Sequence, residues 1–485
     1  MACSGSELFD HLHKFREYIM ILLCFFLFPL IASVVIMCLG GVSARTLKIV
    51  TASLSVVPLL MQLTTAVSLG MEYYAVWFSA LSIHFHLSLD YLSEVFLYIT
   101  NVIVPIGILS ASTVTRPNFF YGLILAVQAL LIGFFTAQDL VCFTLFFEGM
   151  LWPIYFLISA WGGEKRKQAS FTFILYMIAG SVFMIAAVLL LYVSIHPGTF
   201  DIRQIATFAE KLPFAPLLAA AFLLAFLVKT PLFPFHAWLP NAYCEAPLPA
   251  TILLSAVLSK TGIYGIARVS TSFFPTLLAQ WSLPLMCIAI IGMLYGAFAA
   301  WGQTNFKRLI AYSSLSHVNF ILAGIVATSY IAQSGAILQA VNHSITIAGL
   351  FLVAAWLEER LGSSQFGTVS GLASYMPSLA WLTLFFVLSA VALPGLNNFV
   401  SEVLVLYGIF VKSPMLSFLL GTTVILSVIY MLRFMHSVYF NDPVAIEREW
   451  TDIRAREKLI ALPLVALILW LGLYPGPVIT RISQG

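Results

Sequence analysis

Charge is what this sequence has least of. Only 9% of its 485 residues are Asp, Glu, Lys or Arg, against about a quarter in an ordinary soluble domain. So few ionised groups exclude a soluble fold for a chain of this length. The formal net charge of +3 is too small to serve nucleic acid, where contacted phosphates call for clustered cations. Cysteine is scarce as well. Cys3, Cys24, Cys38, Cys142, Cys244 and Cys287 stand far apart, and no pair has the spacing of a zinc site, an iron–sulfur cluster or a disulfide framework. They read as small buried residues. No glycine-rich turn precedes the Lys260–Thr261 pair, so it is not a phosphate loop. Linkers, low-complexity tracts and charge runs are missing too, and nothing divides the chain into soluble units.

What is present is hydrocarbon: 61% of the residues are hydrophobic, and the mean hydropathy is +1.00. At roughly 20 apolar residues per crossing, that content limits the chain to about 15 spans. The run from Met1 to Glu17 carries three acids (Glu7, Asp10, Glu17) against two bases. That is wrong for a transit peptide, and the segment reads as retained. Apolar runs follow at 18–39, 50–70, 90–113, 118–137, 139–160, 168–195, 213–235, 248–270, 282–301, 307–329, 331–357, 377–411, 415–440 and 458–478. The expectation is an all-α polytopic membrane protein with about fourteen transmembrane helices.

Bases in the connections orient it. Thirteen fall on one side: Arg45, Lys48, Arg116, Lys165, Arg166, Lys167, Lys307, Arg308, Arg360, Arg448, Arg454, Arg456 and Lys458. Seven fall on the other: Lys14, Arg16, Arg203, Lys211, Arg268, Lys412 and Arg481. The first side is expected to face the cytoplasm or matrix, with both termini opposite. Lys229, Lys260 and Arg433 belong to neither, because they sit within the apolar runs.

Two runs are interrupted. The seventh holds LVKTPLFPFHAWLP, with Pro231 and Pro234, and the twelfth holds VALPGLNNFVSEV, with Pro394 and Gly395. A proline removes a backbone donor and frees the carbonyl four residues earlier, here those of Leu227, Thr230 and Ala390. Broken helices are tolerated at membrane depth only where freed groups meet protein or water. Two breaks five spans apart suggest five-helix units, and an odd number of helices per unit inverts the second. The expected organisation is three spans over 1–117, a first five-helix repeat over 118–270, an inverted repeat over 282–440 and a last span over 458–485.

An ionisable group at mid-membrane costs about 2.5–3.5 kcal/mol on the mildest scale, so it needs a partner, water or a task. Six residues stand there: Glu148, Lys229, Lys260, His317, His343 and Glu402. The alternation of acids, bases and imidazoles suits proton transfer, because each type can bind and release a proton. Ser313 with His317, and Gln339 with His343, share helix faces at i,i+4 and could hold a file of water. Blander readings apply elsewhere. His236 lies beside the break and could cap freed carbonyls. His84 and His86 read as surface residues of an interfacial loop, Asp139 as a loop residue, and Glu94 and Arg433 as side chains snorkelling to the interface.

The segments LVKTPLFPFHAWLPNAYCEAP, SKTGIYGIAR, FKRLIAYSSLSHVNF, LPGLNNFVSEV and FFEGMLWPIYFLI together resemble the antiporter-like membrane subunits of respiratory complex I, and among them the chain 4, or subunit M, branch. They cover most of spans five to twelve. The resemblance implies fourteen helices with two inverted repeats, the seventh and twelfth broken, and a proton path along the membrane midplane. It implies an ion pair of Glu148 and Lys229, a central lysine in Lys260, and relay histidines in His317 and His343. Related antiporter-like chains carry lysine at the position of Glu402, where the chain 4 branch has glutamate. The chain also stops soon after LGLYPGP, without the long lateral helix of the largest sibling. This sequence departs from the family in carrying Asn241 and Tyr243 in place of an acid and a histidine, and Ser344 in place of a glycine.

No cofactor is expected on this chain; flavin, iron–sulfur clusters and the quinone site are expected in partner subunits. The expected partners are the other membrane-arm subunits and lipid, in a mitochondrial inner membrane or a bacterial plasma membrane. The rival readings are a subunit of a multi-chain sodium–proton antiporter or of a membrane-bound hydrogenase, and a structural scaffold without chemistry.

Overall fold

Hydrocarbon offers a peptide group no hydrogen-bond partner, so a chain this apolar must satisfy its backbone within helices. The computed structural model describes residues 5–64, 67–195, 198–367, 370–441 and 450–484, with side chains described from Met20 to Ile482. Cys3 and Arg448 lie outside the described residues, as do the side chains of Glu7, Asp10, Lys14, Arg16 and Glu17. Helices α1 (Gly5–Cys38) and α2 (Ala44–Leu63) lead into an antiparallel hairpin of β1 (Glu72–Phe78) and β2 (Ile83–Ser88). Then come α3 (Tyr91–Ser110), α4 (Pro117–Thr136), α5 (Leu140–Trp161, stepping at Met150), α6 (Arg166–Ser194) and the short α7 (Ile202–Ala206). After them stand α8 (Ala215–Lys229), α9 (Trp238–Glu245), α10 (Leu248–Phe273), α11 (Pro275–Trp301) and α12 (Phe306–Ile325). The remainder is α13 (Tyr330–Leu361), α14 (Pro377–Ala390), α15 (Asn397–Phe410), α16 (Pro414–Phe440), α17 (Ala455–Leu473) and α18 (Gly476–Gln484). Helix starts follow local chemistry. Asp90, Asp139 and Asn305 accept from the first backbone amides of α3, α5 and α12, and proline opens α4, α11, α14 and α16.

Among the described residues, ten helices are long and apolar enough to cross a membrane, or eleven if α17 and α18, which meet at 78°, form one bent span. All fourteen runs coincide with helix, but the seventh, tenth and twelfth fall outside that set. α8, α14 and α15 are too short, and α12 spends its face on Ser313, Ser314, Ser316, His317 and Asn319. These three runs are the ones that carry Lys229, His317 and Glu402. The breaks in the seventh and twelfth match bond for bond. Thr230 N–H donates to Phe226 O and Leu232 N–H to Leu227 O; Val391 N–H donates to Val387 O and Leu393 N–H to Leu388 O. Each second bond lies 161 residues after its counterpart, as Leu393 does after Leu232. The Leu227 carbonyl, expected to be freed, is thus taken by Leu232 at 3.0 Å.

The end of α8, on the near side of the first break, packs against α10 at Gly262. A Cβ there would stand 2.1 Å from Thr230 Oγ1 and 2.4 Å from the Phe226 carbonyl oxygen. The carbonyl is backbone and cannot swing aside, so Gly262→Ala must push α8 from α10. Overpacking of this kind costs about 1–3 kcal/mol. We expect a lower midpoint in thermal unfolding of the purified protein, whereas Gly421→Ala, in a helix interior with open space around it, should not lower the midpoint.

Several local expectations are corrected. His84 and His86 stand on β2, and His86 is buried, with Nε2 bonded to Glu72 and Nδ1 3.3 Å from Asp201. Burial lowers the pKa of its imidazole, but the bonds to Asp201 and Glu72 outweigh burial and raise it above the ordinary value. Asp139 is the buried cap of α5 and accepts also from the His84 amide at 3.0 Å. Glu94 does not snorkel; it is buried and paired with Arg481 at 3.0 Å. Arg433 turns to the Trp301 carbonyl, and Lys48 lies within α2. Cys142 is buried, but Cys24, Cys38 and Cys287 are exposed, since the outer face of a membrane bundle is itself apolar. Members of the two sets of bases reach different parts of the bundle. Lys48 and Arg456 meet at the Ala111 carbonyl, while Arg203, Arg268 and Arg481 reach the hairpin and the first turn of α3.

Candidate functional site

α10 and α13 are the most enclosed of the long apolar helices among the described residues, with nearly every side chain buried. They carry Lys260 and His343. Lys260 has no solvent exposure, and its Nζ bonds the Ser255 carbonyl and stands 2.9 Å from His343 Nδ1. The His343 ring lies 5.5 Å from that of His317 on α12, the planes tilted by 48°. His317 Nδ1 is 3.5 Å from Glu402 Oε1 on α15, and Gln339 Nε2 donates to the same oxygen at 3.1 Å. Four of the six expected residues therefore form one line across four helices. The remaining ring nitrogens, His343 Nε2 and His317 Nε2, are buried and without a protein partner.

Lys229 ends α8, where the helix stops. Its Nζ donates to the Phe147 carbonyl at 2.6 Å and stands 3.2 Å from the centre of the Phe147 ring, a cation–π contact that suits a desolvated ammonium. Glu148 is the next residue after Phe147, but no ion pair within 4.0 Å joins it to Lys229 among the described residues. Glu148 Oε1 is buried with no hydrogen-bond partner. The two residues are neighbours separated by one backbone carbonyl.

Polar side chains that carry no formal charge support the line, and the sequence reading missed them. Asn342 Nδ2 donates to the Asn397 carbonyl at 2.7 Å and to Ser401 Oγ at 2.9 Å, and Asn397 Nδ2 returns a bond to the Asn342 carbonyl at 3.0 Å. Ser401 Oγ in turn donates to Gln339 Oε1, which fixes the amide that holds Glu402. Asn398 Nδ2 takes the Ser389 carbonyl at 2.8 Å at the end of α14, so the second break is closed by side chains. The signal was the Asn397–Asn398 pair beside Pro394–Gly395 in an apolar run. Other expectations resolve differently. Ser313, on the face of α12 that carries His317, pairs with Tyr430 at 3.0 Å. His236 packs against Phe233 and Tyr295, and among the described residues its ring bonds neither Leu227 nor Thr230.

Residues 137–429, which include every element of this line, match the family model for the membrane subunits of NADH:quinone oxidoreductase and the Mrp antiporter. The chain belongs to that family. It is 33% identical over 408 residues to NADH-quinone oxidoreductase subunit M of Rickettsia prowazekii, covering 83% of each chain. It is 34% identical over 468 residues to an NAD(P)H-quinone oxidoreductase chain 4 of Picosynechococcus, covering 92% of this chain and 88% of the relative. In the structure of respiratory complex I from Thermus thermophilus with bound NADH, one chain superposes with a TM-score of 0.87 at 31% identity, covering 96% of this chain and 99% of that one. With its apolar helices, this family member is a multi-pass membrane protein of antiporter-like fold. No group of three or more His, Cys, Asp or Glu residues is placed to hold a metal ion among the described residues.

Proposed function

We propose that this chain is a proton-translocating antiporter-like subunit of a respiratory complex I, working beside other membrane-arm subunits in a mitochondrial inner or bacterial plasma membrane. Flavin, iron–sulfur clusters and quinone belong to partner subunits; this chain supplies the proton step. In this reading fourteen spans form two inverted five-helix repeats, over 118–270 and 282–440, and the seventh, tenth and twelfth cross the membrane despite their polarity.

The observation that carries the reading is the line Lys260–His343–His317–Glu402, joined by a hydrogen bond at its first step, a ring contact at 5.5 Å at its second and a 3.5 Å approach at its third. An ammonium at 2.9 Å from Nδ1 donates its proton along that axis. Transfer leaves a neutral amine accepting from an N–H, so one proton moves without either side chain moving far. The imidazolium then gives up the proton on Nε2 across the 5.5 Å between the rings to the unpartnered Nε2 of His317. His317 repeats the step from Nδ1 toward Glu402, and the carboxylate takes up the proton and is neutralised. Glu148 and Lys229 stand off the line. Glu148 adjoins the Phe147 carbonyl and ring that hold Lys229 Nζ, so a change in its charge is felt there, and the pair acts as a switch rather than a wire.

The rival reading, a sodium–proton antiporter subunit, shares the fold and is covered by the same family description. Purification of the native assembly separates the two. NADH:quinone reductase subunits should co-purify, and sealed vesicles should acidify on NADH without sodium. Lys229→Ala should retain assembly and lose most of the pumping. Assembled Lys229→Ala with the wild-type number of protons per electron, or a strict sodium requirement, would overturn the proposal.

A further inference from the structure

A π turn inserts one residue into a helix, and its carbonyls no longer all find helical partners. α10 makes such a turn over Leu254–Leu258, directly before Ser259 and Lys260. Three successive carbonyls of that turn are met by side chains. Tyr243 Oη donates to Leu254 O at 3.3 Å, Lys260 Nζ to Ser255 O, and Ser344 Oγ to Ala256 O. The donors come from α9, α10 and α13, so three elements converge on one turn. Tyr243 and Ser344 are 0% and 1% exposed, and neither is within the proton line itself. They are also two of the positions at which this sequence departs from the family pattern. The departures are far apart in the chain and meet in space on adjacent atoms of the turn that carries the central lysine.

We infer that Tyr243 and Ser344 are positioning residues for Lys260. By holding the carbonyls on either side of Ser255, they keep the inserted residue in place and aim Nζ at His343 Nδ1. Losing the insertion would rotate everything after it by about 100°, the turn of one helical residue. Lys260 would then face away from His343. The side of the contact offered by α13 is well chosen, because Ser344 adjoins His343, and the helix that presents the acceptor also fixes the turn that presents the donor. Ser344 has one hydroxyl proton and two carbonyls in reach, Ala256 and its own Ala340 at 2.7 Å. Its bond to the turn can therefore be given up without leaving the hydroxyl unsatisfied. The inference rests on the reading of Lys260 as a proton carrier.

The test uses the whole complex in sealed vesicles, with NADH:quinone turnover, the KM for quinone and protons per electron measured together. Tyr243→Phe and Ser344→Ala each remove one net hydrogen bond, and each should lower coupled turnover about fivefold at unchanged KM. The double variant should be little worse than either single one, since both act on one turn. Tyr243→His restores an N–H donor and Ser344→Thr keeps the hydroxyl, and both should recover most of the turnover. A merely structural role would move the abundance or melting of the complex and would not follow the donor. Lys260→Ala separates the two levels. If it loses pumping while Tyr243→Phe and Ser344→Ala pump normally, the positioning inference fails alone. If Lys260→Ala pumps normally, the carrier reading fails and takes the inference with it. Should Tyr243→Phe not assemble, Ser344→Ala and its threonine rescue decide: no rescue rejects the inference.

Discussion

Lys260→Ala will abolish proton pumping in an assembled complex, and Lys260→Arg will not restore it. Lys260 is fully buried and has two polar neighbours, the Ser255 carbonyl and His343 Nδ1. Alanine removes the carrier and leaves His343 with nothing to accept from. Arginine keeps a cation in the site, but a guanidinium does not deprotonate at any accessible pH. If charge alone were needed, arginine would serve; if the proton itself passes through this atom, arginine blocks it. Removal of a positioned acid–base group lowers a rate by about 10²–10⁴-fold, and pumping should fall by at least the smaller of these. The measurement is the pH gradient formed per NADH oxidised, with subunit content checked on the same vesicles. Wild-type pumping by Lys260→Arg would show that the site is a fixed counter-charge.

The parts of this site that were legible in the sequence are those with a cost. Lys229, Lys260 and Glu402 stand out because an ionised group in an apolar run cannot be there without a partner or a task. Prolines mark the breaks for the same kind of reason. What was not legible depends on contacts between distant segments. Nothing near His86 in sequence announces that Glu72 and Asp201 will enclose it, so it read as a surface residue. The alternation of EYYAVWF and IHFHLS is that of strands, but such short strands are hidden beside helical runs of 20 residues. Asn342, Asn397 and Asn398 carry no charge, and a neutral amide in an apolar run attracts little notice, though these three close the second break. Likewise, Glu148 and Lys229 were expected as a direct ion pair, and their separation by the Phe147 carbonyl is a matter of helix register that no local pattern encodes. The π turn before Lys260 is of the same kind. LSAVL is an ordinary helical sequence, and its insertion is fixed by Tyr243 and Ser344 from outside.

Glu402 should show a graded response to substitution. It is buried at the end of the line, with Oε1 3.5 Å from His317 Nδ1 and 3.1 Å from Gln339 Nε2. The group there must take a proton from an imidazole and give it up again. Aspartate still titrates but is shorter by one methylene, which lengthens the step from His317. Glu402→Asp should therefore pump at a reduced rate. Glutamine has nearly the shape of glutamate and its carbonyl oxygen still accepts from Gln339 Nε2, so Glu402→Gln should assemble normally. It cannot carry the proton, and its pumping should fall by about 10²-fold, the loss expected when an acid–base group is removed. Lysine titrates as well, yet it brings a cation to a site whose neighbours His317 and Gln339 are arranged around an acceptor. A desolvated ammonium without its partner is costly, so Glu402→Lys should be at least as damaging as Glu402→Gln, in assembly as well as in pumping. Quinone reductase activity and membrane potential, measured on the same vesicles, place the three variants in order. If Glu402→Lys pumped as the wild type does, any titratable side chain would serve at this position, and the line would not need to end in an acid.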